Sequence, residues 1–367
     1  MKIVLATGIY PPAIGGPATY VCALADQLTK KGHEVEVVTY GDKVESGMWK
    51  VESVENSIPI LRWFGYAKKL KEVGVDADIV YAFSSISCGV PLMLSGLKKP
   101  KRVLRLGGDF FWERYTDWRG GKGLRHWYTS SHWSLVISHW FMLWILSRFD
   151  HVVFSTKFQN DIYADTYKKL PKHSVIENAL QLEMVVPMEH HIAQKPFRLL
   201  FMGRFVHFKQ IPTLIEAVAQ IPDALLTIVG EGSQDIALRK LVERLVLDSR
   251  IRFVGPISGK EKYEIFGKHD LLVLPSLTDI SPNIALEARS VGLPVLLTDQ
   301  NGLSESLRQG MVAADLSSVK KLVEEIKRAQ QGYGFIAEAA SKKIDGRSWG
   351  EVAEETVLLF SRIHTSQ

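Results

Sequence analysis

The chain has 367 residues, 46% of them hydrophobic and 23% charged, with a formal net charge of +5. That is about two domains' worth of sequence with apolar content for two cores. Two cysteines, Cys22 and Cys88, exclude a disulfide framework and suit a reducing compartment, and the mild charge gives no indication of nucleic acid as a partner.

Residues 1–6 form a short strand pattern closed by Pro11-Pro12, without the apolar length or cleavage site of a signal peptide, so a cytoplasmic location is expected. Short apolar runs then alternate with helical patterns, as in doubly wound α/β sheets. Strands are expected at 2–6, 35–39, 79–83, 102–106 and 152–155 in a first domain, residues 1–182. A second domain, residues 195–345, has strands expected at 199–202, 225–229, 251–254, 271–274 and 295–298. The boundary falls between Asn178 and Lys195, where Glu189-His190-His191 and Pro196 break any regular pattern.

Gly15-Gly16-Pro17 precedes a helix expected from Ala18 to Lys31, with Pro17 suited to its first position. The glycines let backbone approach a ligand closely or merely serve a turn. Asp76-Ala77-Asp78 has the form of a metal-holding Asp-x-Asp, but it directly precedes a strand and is read as a solvated turn. His33, in a helix-to-strand turn, is read as structural. After the 102–106 strand comes Gly107-Gly108-Asp109-Phe110-Phe111-Trp112-Glu113, at the carboxyl edge where α/β sheets bind ligands. Asp109 there either contacts substrate or belongs to a cap on the sheet.

Residues 110–149 hold six of the nine tryptophans: Trp112, Trp118, Trp127, Trp133, Trp140 and Trp144. Trp133, Ile137, Trp140 and Trp144 fall on one helical stripe, with Leu135, Val136, Leu143 and Leu146 on the other sides. The run 133–146 is too short to span a bilayer. With Lys98, Lys99, Lys101, Arg102, Lys122, Arg125 and Arg148 nearby, it suits peripheral contact with an anionic membrane face, or else a buried helix.

In the second domain, Gly203-Arg204 directly follows a strand, and Lys209 comes five residues later. Arg204 offers a fork and Lys209 a mobile point charge, together suited to a diphosphate. Val229-Gly230-Glu231-Gly232, Val254-Gly255 and Gly292-Leu293-Pro294-Val295 are strand ends and tight turns in the order a nucleotide-binding domain needs. After the 271–274 strand, Ser281 suits an N-cap and Pro282 the first helical position. The amides of Asn283 and Ile284 would then face an anion, with the helix dipole in support. Asp279 in the preceding loop and Glu287 on the helix would hold sugar and ribose hydroxyls, unless Glu287 is simply on the surface of a crossover helix.

Taken in order, Gly203-Arg204…Lys209, Val229-Gly230-Glu231-Gly232, Phe253-Val254-Gly255, Pro275-Ser276, Asp279…Glu287-Ala288, Gly292-Leu293-Pro294-Val295 and Glu305 resemble the carboxyl-terminal domain of retaining glycosyltransferases of family four. Tyr10-Pro11-Pro12, Gly15-Gly16 and Gly32-His33-Glu34-Val35 resemble that family's opening. The resemblance implies a GT-B fold of two Rossmann-like doubly wound domains, with a C-terminal helix at 346–367 packing back on the first. It implies metal-free transfer of a sugar, with retention, from a nucleotide-diphosphate sugar to a glycan, lipid-linked or small-molecule acceptor. Arg204, Lys209, Asp279, Glu287 and Asp109 would act in catalysis. Gly15, Gly16, Gly203, Gly230, Glu231, Gly255, Ser281, Asn283 and Ile284 would line the donor. No cofactor beyond the donor substrate is implied.

The chain departs from the family at Asp279, where a glutamate is usual, and at 107–113, where many relatives carry a histidine. An epimerase or phosphorylase of the same fold, or a nucleotide-sugar-binding protein without turnover, remains the alternative.

Overall fold

The structure is a computed structural model that describes residues 1–13, 15–42, 48–55, 58–130, 133–179, 195–342 and 346–365. The expected boundary around 189–191 lies outside the described residues. The chain divides into two compact units, one of residues 1–111, 128–179 and 347–367 and the other of 112–127 and 180–346. The second unit thus takes in 112–127, a segment the sequence assigned to the first domain.

The first unit is built on seven strands: β1 (Lys2–Ala6), β2 (Glu34–Tyr40), β3 (Lys50–Val54), β4 (Ile79–Ala82), β5 (Lys101–Leu106), β6 (His151–Phe154) and β7 (His173–Val175). They run in the order β3-β2-β1-β4-β5-β6-β7, and each pairing is parallel. The central strands β4 and β6 are buried on both faces, which is why they read as unbroken apolar runs. β3 and β7 are half-exposed edge strands without such a run, and the sequence pattern passed over both.

The second unit has β8 (Phe197–Met202), β9 (Ala224–Val229), β10 (Ile251–Val254), β11 (Leu271–Leu274), β12 (Val295–Thr298) and β13 (Val312–Ala314). Their order is β10-β9-β8-β11-β12-β13, again parallel throughout. Its core gathers Phe197, Phe201, Phe205 and Phe266 with the aliphatic residues of β8, β9, β11 and β12. Only edge strand β13 went unforeseen here.

Each sheet therefore reverses direction once, between β1 and β4 and between β8 and β11. Loops leaving the carboxyl ends of those strand pairs diverge and leave a crevice for ligand. In the first unit that places the loop with Gly15 and Gly16 beside its switch point. The helix Gly16–Lys30 follows directly, capped by Gly15 and starting two residues earlier than expected. The C-terminal helix Trp349–Thr365 belongs to this unit, where Val352, Ala353 and Phe360 are fully buried. Phe360 meets the Tyr81 ring edge-on at 5.3 Å.

Asp76 and Asp78 sit at the opposite, amino edge of the first sheet. Asp78 accepts from the Lys2 amide at 2.8 Å and Asp76 pairs with the Lys2 ammonium at 2.9 Å, so the two carboxylates tie β1 to the turn before β4.

Candidate active site

At the switch point of the second sheet, the loop after β8 faces the loop after β11. The Leu277 amide donates to the Phe208 carbonyl at 2.8 Å, joining the two loops by backbone. Beside this link the Lys209 ammonium reaches Asp279 Oδ2 at 2.6 Å, with both side chains largely buried. The Ser276 hydroxyl donates to the same oxygen at 3.3 Å. Asp279 is further fixed through its backbone, its amide donating to Gln300 and its carbonyl accepting from Gly302. The pair thus spans the crevice, held from β8 on one side and β11 on the other.

Lys209 ends a 3-10 turn, His207–Lys209, and the next residue, Gln210, is left-handed at φ 52°. Arg204 lies on the same loop with its guanidinium mostly exposed, 3.1 Å from Glu113. Both cations approach the Phe208 ring, Arg204 at 5.8 Å and Lys209 at 5.2 Å. His207 Nδ1 lies 3.6 Å from Asp117. Glu113 and Asp117 come from 112–127, which also meets the site through Trp112 against Phe208 and through the Leu124 amide donating to Thr278 at 2.9 Å. Gly123 makes that approach possible, since a Cβ there would lie 3.1 Å from the Leu277 carbonyl oxygen.

The loop itself is clamped by glycine. A Cβ on Gly230, at φ 135°, would lie 2.1 Å from the Gly203 carbonyl oxygen. One on Gly232 would lie 2.5 Å from that of Phe205. Gly230 and the Glu231 backbone, whose carbonyl accepts from Phe205 at 2.8 Å, therefore shape the Arg204 loop. Gly255 follows β10, exposed and with open space where a side chain would go.

The helix after β11 runs Asn283–Ser290 and is capped by Pro282, not by Ser281. The cap moves by one residue because the Asn283 amide folds back to the Ser281 carbonyl at 2.9 Å while Pro282 accepts from Ala285. Asn283 thus spends its amide locally, and Ser281 donates to the Asn283 side chain at 3.3 Å instead of capping. The Ile284 amide has no acceptor among the described residues. Glu287 is largely buried and pairs at 2.7 Å with Lys262 of the helix Gly259–Phe266. Sequence reading missed Lys262 and Asp117, and placed Glu113 at the ligand-facing edge without its Arg204 partner, because these partners are distant in the chain and no spacing ties them together.

Asp109 belongs to the first unit and does not fit its expected substrate role. It is fully buried, and Tyr128 and Tyr163 each donate to its Oδ2 at 2.6 Å. Burial, then the Asp109 charge, raises both phenols well above their ordinary range, so they remain donors. Asp109 is a packed hydrogen-bonding centre beneath the sheet edge.

Two parallel sheets with a cationic, carboxylate-bearing switch point define a GT-B glycosyltransferase. The model of "Glycosyltransferase Family 4" matches residues 14–183 and that of "Glycosyl transferases group 1" residues 187–341, and the chain belongs to this family. An uncharacterized glycosyltransferase of Methanocaldococcus jannaschii is 24% identical, with 98% of each chain covered. Among solved structures, sucrose-phosphate synthase from Thermosynechococcus elongatus matches at a TM-score of 0.80 with 18% identity over the whole of both chains. Anabaena HepE in complex with UDP and glucose matches at 0.73 with 17% identity, covering 98% of this chain and 99% of that one.

Proposed function

We propose that the protein transfers a hexose, with retention and without a metal, from a nucleotide-diphosphate sugar to a glycan, lipid-linked or small-molecule acceptor carried by the first unit. The observation that carries this reading is the Lys209–Asp279 pair across the switch point, with Arg204 on the same loop. UDP at the same fold in Anabaena HepE supports a nucleotide donor.

A lysine ammonium has three protons, so Lys209 can give one to Asp279 and still reach a phosphate oxygen. Arg204 adds a fork, and the Ile284 amide a helix-end donor. These groups stabilise charge growing on the leaving diphosphate as its bond to the anomeric carbon breaks. The acceptor oxygen bonds to that carbon on the same face, and its proton passes to the leaving phosphate oxygen. Glu287 keeps acceptor sites beyond the one Lys262 uses, which suits ribose hydroxyls. Gly15, Gly16, Gly203 and Gly255 would admit the ligand to bare backbone.

The test is turnover with UDP-, GDP-, ADP- and TDP-sugars, with and without EDTA, scoring the anomeric configuration of the product. Transfer with retention, unchanged by EDTA, is expected. Inversion or loss of activity in EDTA would defeat the mechanism. Donor binding without transfer to any acceptor would favour a binding protein, and product without an acceptor an epimerase.

A further inference from the structure

The helix Trp133–Leu146 carries no ionisable residue but His139, and it is apolar on two opposite sides. One side packs inward through Leu135, Met142, Ile145 and Leu146. His139 is on that buried side, stacked on Tyr128 at 4.5 Å, and burial pushes its imidazole down to about 4, so it stays neutral. The other side leaves Val136, Ile137 and Trp140 open at 51%, 58% and 66%, followed by Phe141 at 37%. Val136, Trp140 and Trp144 stand four residues apart and form one stripe. At its end a pocket is lined by Trp140, Trp144, Ser147 and Lys169. Arg148 lies over the Trp144 ring at 5.0 Å, and Lys168, Lys169 and Lys172 are exposed on the loop after the helix Lys157–Thr166.

We propose that this stripe is a docking surface for an anionic lipid bilayer. Aliphatic Val136 and Ile137 offer a sugar no polar partner, whereas they suit acyl chains, with the indoles at headgroup depth. The cations gathered at one end complement acidic headgroups. At 14 residues the helix is about 21 Å long. It lies in the interface and does not cross it, and no described helix is long and apolar enough to cross a membrane. The proposal is independent of the donor chemistry, because vesicle binding is read without substrate.

The full chain is sedimented with vesicles of phosphatidylcholine and with vesicles containing about a third phosphatidylglycerol. Binding to the anionic vesicles, weakening with salt, is expected. The exposed double change Ile137→Ser with Trp140→Ser should lower the partition about tenfold or more with the melting temperature unchanged. Arg148→Glu with Lys169→Glu should lower it by about fivefold or more per site and flatten the salt dependence. Failure of the wild type to bind anionic vesicles overturns the proposal, as does wild-type binding by the serine double variant. So does loss of binding only on changing Leu61 and Phe64, an exposed apolar pair on another helix of the same unit. Release by inorganic phosphate at matched ionic strength would mark a soluble-anion site and overturn it equally.

Discussion

Lys209 has two tasks, since it must neutralise a buried aspartate before any ligand arrives and a diphosphate afterwards. Lys209→Ala should cut transfer about 100-fold or more. It should also destabilise the second unit by about 3 kcal/mol, because it strands Asp279 without its cation. Arg204 is mostly exposed, so Arg204→Lys should damage kcat/KM while leaving the melting temperature within a degree or so. Paired kinetics and melting curves on the two variants separate these roles. Two glycines make a second contrast. Gly230→Ala should cost several kcal/mol because its Cβ would strike the Gly203 carbonyl, whereas Gly255→Ala should be close to neutral in stability. Both glycines looked alike as strand-end residues. What separates them is a backbone three-dimensionally adjacent but 27 positions removed, a relation no local spacing carries.

Among the elements, the strands buried on both faces were the most legible. β1, β11 and β12 begin and end as expected, since interior strands of a parallel sheet are buried on nearly every residue, whereas edge strand β10 keeps its expected bounds with Arg252 exposed. The helix after β11 was legible as a helix, but its cap was not, because the competition between Ser281 and Pro282 is settled by one backbone turn. Arg289 on this helix was not singled out at all. It is buried, and it donates to the carbonyls of Gln309, Ala339, Ala340 and Lys342. It thereby closes the C-terminal end of the helix Tyr333–Ser341, whose last carbonyls have no intrahelical partner. Arg289→Met should therefore cost about 3 kcal/mol or more, read by urea titration. In the first unit, burial pushes His139 and His151 down to about 4 from an unfolded value near 6.5. Their contribution is complete above about pH 6.5 and is lost as pH falls toward 4, where the unfolded chain takes up protons that the fold refuses. His139→Phe, which keeps a ring against Tyr128, should flatten the acid side of the melting-temperature profile.

For the molecule as a whole, family, fold and the two-sheet plan could be read from motif order, and the assignment of 112–127 to the second unit could not. That segment begins inside a helix, Phe110–Arg119, that starts in the first unit, and nothing in its composition marks the point of transfer. The residues that end the chain are equally committed to the first unit. Phe360→Ala should cost about 3 to 5 kcal/mol there, and a chain stopped at residue 346 should fail to give a cooperative melt for that unit.

The C-terminal helix also bears on synthesis. A ribosome delivers β1 well before Phe360, so the first sheet waits, incompletely covered, until the helix Trp349–Thr365 has been made. Apart from 112–127, which is already available, the second unit is complete by residue 346. The order of maturation is thus the reverse of the order of translation, and the vulnerable interval for aggregation falls on the half of the protein made first.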